Sequence, residues 1–268
     1  MTKDSPSKKT DTRLIQSIQR AAKILEIFID EKNPVGITDF AQKLDLPKTT
    51  IQGIVTTLVE LRFLEKDQNT SKYRLGTKLF QLGMTYATNL DIISLARVWM
   101  ERASFQFREP VNLGILVGKK VLILFRVEPE KGFMTFPQIG SVIPAHTTSI
   151  GKTLFAYMRD EKREEILKDY SFDKLTENSI TNIDDFRREL KSIRETGIAF
   201  DNEENFIGLM GIGGPVYNYT GHVIAAFTIT GDAEHLKKIR DDVINEVRFT
   251  SREVSRQLGY KGNKNPGS

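Results

Sequence analysis

No cysteine occurs anywhere in the 268 residues. That removes disulfide staples and thiolate metal sites together, and it suits a chain that works in a reducing cytoplasm. Histidine is nearly as scarce. His146, His222 and His235 are scattered, so a three-histidine metal centre would need long-range convergence with an acid such as Asp201 or Glu203. No apolar run approaches the roughly 18 residues of a membrane helix. The N-terminal MTKDSPSKKTDTR has charge with no apolar stretch behind it, unlike a secretory signal. Strong charge imbalance is missing as well, since 39 Lys+Arg against 35 Asp+Glu leave +4. The small excess sits at the front: residues 1–75 hold 13 basic and 10 acidic side chains, and the other 193 hold 26 and 25. A phosphate-binding N-terminal part would be charged in this way.

Phosphate-loop chemistry is lacking too. The glycines of Gly208-Leu209-Met210-Gly211-Ile212-Gly213-Gly214 do not fit G-x-G-x-x-G, and Pro215-Val216 continues a strand instead of opening a helix. Gly151-Lys152-Thr153 echoes the end of a P-loop, but His146 and Thr147 stand where its first glycine belongs. Asp201-Asn202-Glu203-Glu204 is acidic enough for general acid/base work, yet no nucleophile or partner base accompanies it in a recognisable arrangement. No catalytic residue and no cofactor is expected.

What is present is organised around residues 37–61, ITDFAQKLDLPKTTIQGIVTTLVEL. Thr38 is placed to cap a short helix carrying Phe40, Ala41 and Leu44 on one face. Asp45-Leu46 makes a turn, and Pro47 suits the first position of a second helix, where its missing N–H has no partner to lose. There Ile51, Ile54, Val55, Leu58 and Leu61 form one apolar stripe, while Thr49, Gln52, Gly53 and Thr56 share the opposite face. A helix apolar on one side and lined with small polar groups on the other, after a tight turn, is what a helix-turn-helix DNA reader requires. An ordinary αα-hairpin has the same pattern.

Residues 1–13 read as a disordered basic arm. A helix over 17–31 follows, with Ile18, Ala21, Ala22, Leu25, Phe28 and Ile29 on one side. After the helix pair, residues 63–66 and 72–75 alternate around the turn-rich DQNTS segment, which predicts a β-hairpin flanked by lysines. Three helices and such a hairpin make a winged helix-turn-helix, over 14–76. A connecting helix is expected over 77–90. A second helix, capped by Asp91, bears Ile92, Leu95, Ala96, Trp99, Met100 and Phe105.

Beyond Pro110 the period becomes two. Strands are expected over 111–117, 121–127 and 133–136, with Gly118-Lys119-Lys120 turning the first pair. A loop over 140–148 then leads to a helix over 149–158, and a charged helix follows from Asp160. Another helix spans 184–196, closed by Gly197. Strands over 198–200, 208–215 and 223–230 precede a last helix over 233–258, and 261–268 read as a disordered tail. Helices flanking an antiparallel sheet give an α+β domain over 91–260.

This order, with several motifs inside it, resembles the IclR family of bacterial transcriptional regulators. Arg20-Ala21-Ala22-Lys23-Ile24-Leu25-Glu26 is similar to that family's opening helix, Leu46-Pro47-Lys48-Thr49-Thr50-Ile51 to the start of its recognition helix, and Tyr73-Arg74-Leu75-Gly76 to the end of its wing. Farther on, residues 144–152, 175–180, 197–204 and 211–216 match in order. The resemblance covers about residues 14–260. It implies a winged domain that binds a double-stranded operator, a dimerising linker helix, and a GAF-like domain that binds a small metabolite. It further implies a homodimer or tetramer in the cytoplasm, away from membranes. A metabolite-binding enzyme with an accessory DNA domain is the competing class.

On this reading DNA contacts fall at Thr38, Lys48, Thr49 and Thr50, then at Gln52, Gly53 and Thr56, with Lys72 on the wing. Many family members have arginine where Gly53 stands. Either Gln52 and Thr49 read a different operator, Gln52 being able to bond adenine bidentately, or Gly53 admits close backbone approach. The resemblance places the effector pocket at Ile143, Ala145, Ser149 and Ile150, with Asp201, Gly211, Thr228 and Thr230. Gly211 stands where many members have cysteine, which leads one to expect a roomier pocket. Thr228 and Thr230, two apart on a strand, face one side with two hydroxyls. The start of the 149–158 helix offers free N–H groups to a carboxylate, so a small organic acid is the expected ligand.

Overall fold

The computed structural model describes residues 14–31, 33–88, 91–129 and 137–262. The expected arm over 1–13, the strand over 133–136 and the tail from 263 lie outside the described residues. The chain divides into two compact units between Tyr86 and Ala87.

In the first unit, α1 (Gln16–Asp30), α2 (Ile37–Leu44) and α3 (Lys48–Glu60) precede the strands β1 (Leu64–Lys66) and β2 (Tyr73–Leu75). The strands pair antiparallel with Leu64 opposite Leu75, and an isolated bridge joins Val35 to Tyr73. Ile24, Phe40, Ile51, Val55, Leu58, Leu64 and Tyr73 close one apolar core. Phe28 meets Phe40 edge-on at 5.7 Å.

Local chemistry shifts several expected positions. Asp39 accepts the Gly36 N–H at 3.0 Å, so α2 starts at Ile37 with Gly36 as its cap, and Thr38 is an exposed helical residue. Asp45 ends α2 in the left-handed conformation, φ 50°, which a short polar side chain tolerates. Pro47 is the N-cap of α3 and not its first helical residue; its φ of −57° suits either place, but its ψ of 138° is extended. Leu61 falls on the C-cap of α3 and is 55% exposed instead of completing the apolar stripe. On α1 the buried residue is Ile24, while Ile18 and Ile29 are exposed.

α4 (Thr77–Thr88) crosses the division between the units, which falls inside the expected connecting helix over 77–90. In the second unit come α5 (Asp91–Phe107), β3 (Val111–Val117), β4 (Lys120–Val127), β5 (Val142–Pro144), α6 (Ser149–Ala156), α7 (Asp160–Leu167), α8 (Ile183–Thr196), β6 (Ala199–Asn202), β7 (Leu209–Tyr217), β8 (Val223–Asp232), α9 (Ala233–Lys238) and α10 (Arg240–Gln257). Six strands form one antiparallel sheet in the order β5-β4-β3-β8-β7-β6.

Alternation along β8 assigns the two faces. Ala225, Phe227 and Ile229 pack with Met100, Leu113 and Val247 on the side of α5 and α10. Ala226 belongs to the other core, with Ile150, Phe155, Phe186 and Ile193 of α6 and α8. Thr228 and Thr230 follow Ala226 on that second side. The expected loop over 140–148 contains β5, which pairs with β4 and packs Ile143 against the second core. The last helix is broken at Ile239, where α9 ends and α10 starts. Phe105, one of the apolar residues read on the helix α5, is 87% exposed.

Candidate functional site

In the first unit, Thr49, Gln52, Gly53 and Thr56 occupy one exposed face of α3, as their i, i+3, i+4, i+7 spacing requires. Lys48 is exposed beside them at the first turn, and Thr50 is half-buried. Lys72 is exposed on the wing, where Asp67 ties the turn by accepting the N–H groups of Asn69 and Thr70 at 2.8 and 3.0 Å. Gln52 donates to the Thr56 hydroxyl at 3.3 Å along the helix face. Nothing lies within 4 Å of where a Cβ on Gly53 would stand. No packing constraint in the described fold therefore demands glycine there.

In the second unit the start of α6 sits against the inner face of the sheet. Thr148 caps the helix by accepting the Gly151 N–H at 3.2 Å, and the Lys152 N–H bonds the Thr148 carbonyl at 2.9 Å. The Ser149 and Ile150 N–H groups have no hydrogen-bond partner among the described residues. Gly151 makes the approach possible: a Cβ there would stand 2.2 Å from the Ala145 carbonyl oxygen. All eight residues of α6 are buried, Lys152 included. Its ammonium donates to Glu204 Oε1 at 2.5 Å, the Phe200 carbonyl at 2.8 Å and Glu189 Oε1 at 3.3 Å, so all three of its protons have acceptors.

Between the α6 start and the sheet lies a cavity of about 30 Å³, lined in part by Ile143, Ser149, Ile150, Asp201, Thr228 and Thr230. Those are six of the eight positions expected of an effector pocket. Ala145 is buried beneath Gly151, with its backbone as the support and no part in the wall. Gly211 lies just under the cavity, and its expected extra room is not there. A Cβ on it would come within 3.1 Å of Ser149 Oγ and 3.2 Å of Thr228 Oγ1. Those two hydroxyls, bonded to each other at 2.7 Å, fill the space.

Asp201 is the acid of the cavity. Its Oδ1 accepts the N–H groups of Glu204 at 2.8 Å and Asn205 at 3.4 Å. Burial is the largest influence and pushes its carboxyl from an ordinary 3.8 to about 7; the neighbouring Glu204 charge adds to the rise, and the backbone N–H donors and Lys152 oppose it. The loop behind it is latched from outside: Thr176 Oγ1 donates to the Glu203 carbonyl and Ser179 Oγ to the Glu204 carbonyl, both at 2.7 Å. That contact gives a structural role to the 175–180 motif.

Sequence reasoning missed Asn112, Asn205, Phe206 and Leu209, which also line the cavity. Asn112 had a signal: it is a polar residue at a buried, inward position of the otherwise apolar strand VNLGILV. Asn205 and Phe206 come from the loop between β6 and β7, which has no period to read, and Leu209 is the first residue of β7. Two wider clefts, of about 710 and 720 Å³, open elsewhere in this unit, but their charged side chains are mostly exposed. His146 is held by the Tyr170 hydroxyl and the Asp173 carbonyl. Among the described residues no group of three or more His, Asp or Glu could hold a metal ion, and no described helix is long and apolar enough to cross a membrane.

Each unit matches a known protein family. Residues 17–68 match the IclR helix-turn-helix domain, and residues 84–256 match the bacterial transcriptional regulator IclR C-terminal family. The glycerol operon regulatory protein of Streptomyces coelicolor is 33% identical over 250 residues, with 92% of this chain and 98% of that one covered. The regulator XynR of Escherichia coli is 30% identical over 253 residues, with 92% and 98% covered. Among solved structures, the IclR of Thermotoga maritima superposes with a TM-score of 0.71 at 26% identity, over 91% of this chain and 99% of that one. An IclR homologue of Microbacterium hydrocarbonoxydans, solved in complex with 4-hydroxybenzoate, shares the fold with a TM-score of 0.81 at 23% identity, over 91% and 99%. The chain belongs to the IclR family of DNA-binding transcriptional regulators.

Proposed function

We propose that the cavity at the α6 start takes a small organic acid, and that its occupancy modulates operator binding by α3. The observation that carries this reading is the convergence of Ser149, Asp201, Thr228 and Thr230 with two free N–H groups at the positive end of one buried helix. Such an end favours a carboxylate. The Microbacterium relative's ligand, 4-hydroxybenzoate, is itself a carboxylate. At about 30 Å³ the cavity holds one or two waters, so an acid enters only if the walls separate. A ligand that fits the opened arrangement alone has the differential affinity that a switch requires.

On the DNA side, Gln52 and Thr49 read base edges while Lys48, Thr50 and Thr38 anchor the helix pair and Lys72 anchors the wing. Gly53 and Thr56 complete the reading face. The winged domain spans 14–76, the linker 77–90 and the effector domain 91–260. A homodimer or tetramer, joined partly through the exposed Phe80, Leu82 and Tyr86 of α4, presents paired helices to an inverted repeat in the cytoplasm.

Thermal unfolding against a panel of organic acids tests the reading. An acid at a hundred times its Kd adds about 2.7 kcal/mol of stability and should change operator affinity in a gel shift. Both effects should vanish in Thr228→Val and Ser149→Ala. Stabilisation that survives both substitutions places the ligand elsewhere.

A further inference from the structure

Asn112 is 1% exposed and lies on the inner face of β3, with Thr228 of β8 opposite it on one side and Arg126 of β4 opposite it on the other. Arg126 Nη1 donates to Asn112 Oδ1 at 2.8 Å, and Arg126 Nε donates to Glu128 Oε1 at 2.7 Å. A guanidinium can only donate, so the Asn112 side chain must turn its oxygen to Arg126. Its NH2 group is thereby committed the other way. Asn112 Nδ2 is buried without a partner, and of the five such atoms among the described residues it alone belongs to a residue lining the effector cavity. Buried donors are nearly always paired in folded proteins, so an unpaired one that faces a cavity marks the place of an absent acceptor.

The cavity thus has two donor poles. One is the pair of free N–H groups at Ser149 and Ile150. The other is the Asn112 amide, one strand spacing, on the order of 5 Å, beyond the Thr228 hydroxyl that Ser149 touches. Thr230, two residues along β8 from Thr228, and Asp201, across Gly211 of β7 from Thr230, line the same cavity. We propose that Asn112 is the specificity-determining residue of this site, and that the effector is an oxygenated acid: its carboxylate lies on the α6 start and a hydroxyl or carbonyl oxygen accepts from the Asn112 amide. The inference rests on the reading of the cavity as an acid site. It sets hydroxy and oxo acids apart from plain aliphatic acids of the same length, which leave the amide unpaired.

Calorimetric titration of the full chain with matched probes tests it: pentanoate against 5-hydroxypentanoate, and hexanoate against gluconate. The oxygenated member of at least one pair should bind tenfold or more tightly than its partner. Asn112→Leu should bring that ratio to about one. Should this variant fail to fold, Asn112→Asp keeps an acceptor for Arg126, removes the donor, and should invert or abolish the preference. Equal binding within both pairs, or a preference that persists in the folded variant, overturns the role of Asn112 while leaving the acid site intact, provided Thr228→Val abolishes binding. If none of the four acids binds the unsubstituted protein, both the specificity and the acid site are overturned.

Discussion

Gly53 and Asp201 are single residues whose surroundings make opposite demands. Gly53 has open space around its missing Cβ, so its cost to α3 is intrinsic and unrelieved. Gly53→Ala should raise stability in urea unfolding by about 0.8–1 kcal/mol; a loss instead of a gain would mean that the conformation there excludes alanine. The same variant probes the DNA side, since a methyl on this face weakens operator binding if the backbone approaches closely. Gln52→Ala should cost about 1–3 kcal/mol on a specific operator with little change on unrelated DNA, and equal losses on both would discard base reading by Gln52. Asp201 is constrained by burial. Its carboxyl titrates near 7 in the fold and near 3.8 in the free state, so between those values the folded protein keeps a proton that the unfolded chain has released. This contribution is complete below about pH 4 and is lost as pH rises to 7. Relative to Asp201→Asn, the unsubstituted protein should lose up to about 1.4 kcal/mol per pH unit through that window. Parallel stability curves from pH 5 to 7 would show that Asp201 titrates normally.

At the scale of the element, α6 is the part on which the site depends. It is held by a cap, a close approach and a buried ammonium. Thr148→Ala removes the acceptor of the Gly151 N–H and should cost about 0.5–2 kcal/mol. Gly151→Ala drives a methyl into the Ala145 backbone and should destabilise by more than the cap loss, with the ligand response falling first because Ser149 and Ile150 move. An unchanged melting temperature in Gly151→Ala would show that the helix has room to slide. The apolar periodicity of α6 was readable, and so was its start at Ser149. Its burial on every side was not. An interior helix carrying a lysine looks half-solvated until Glu204, Glu189 and the Phe200 carbonyl arrive from elements some forty to fifty residues away.

At the scale of the whole molecule, the proposed function joins two kinds of chemistry. DNA binding through Lys48, Lys72 and the helix face should weaken steeply with salt, by a slope that counts released phosphate counterions, whereas acid binding within a largely buried cavity should depend on salt far less. Measuring operator and acid affinity from 50 to 200 mM salt separates them; matching slopes would place the acid on an exposed cationic surface. The outline of both units was legible because each element announces itself locally. The period changes from 3.6 to two after Pro110, Gly197 closes α8 with a φ of 75°, and Pro47 opens α3. Motifs in chain order identified the family and six of the cavity's residues.

What remained illegible depends on register and distance. β5 has too few residues to show a period, and its existence is decided by pairing with β4. Gly211 looked like an opening because the hydroxyls that fill it come from Ser149 and Thr228, 62 and 17 positions away. Asn112 is one polar residue in an apolar strand, and its place beside the cavity follows only from the pairing that sets Arg126 and Thr228 on either side of it. Local periodicity records which face a residue takes, because that follows from bond geometry. Which residue it meets there is set by strand register and helix docking, and only the folded chain brings those partners together.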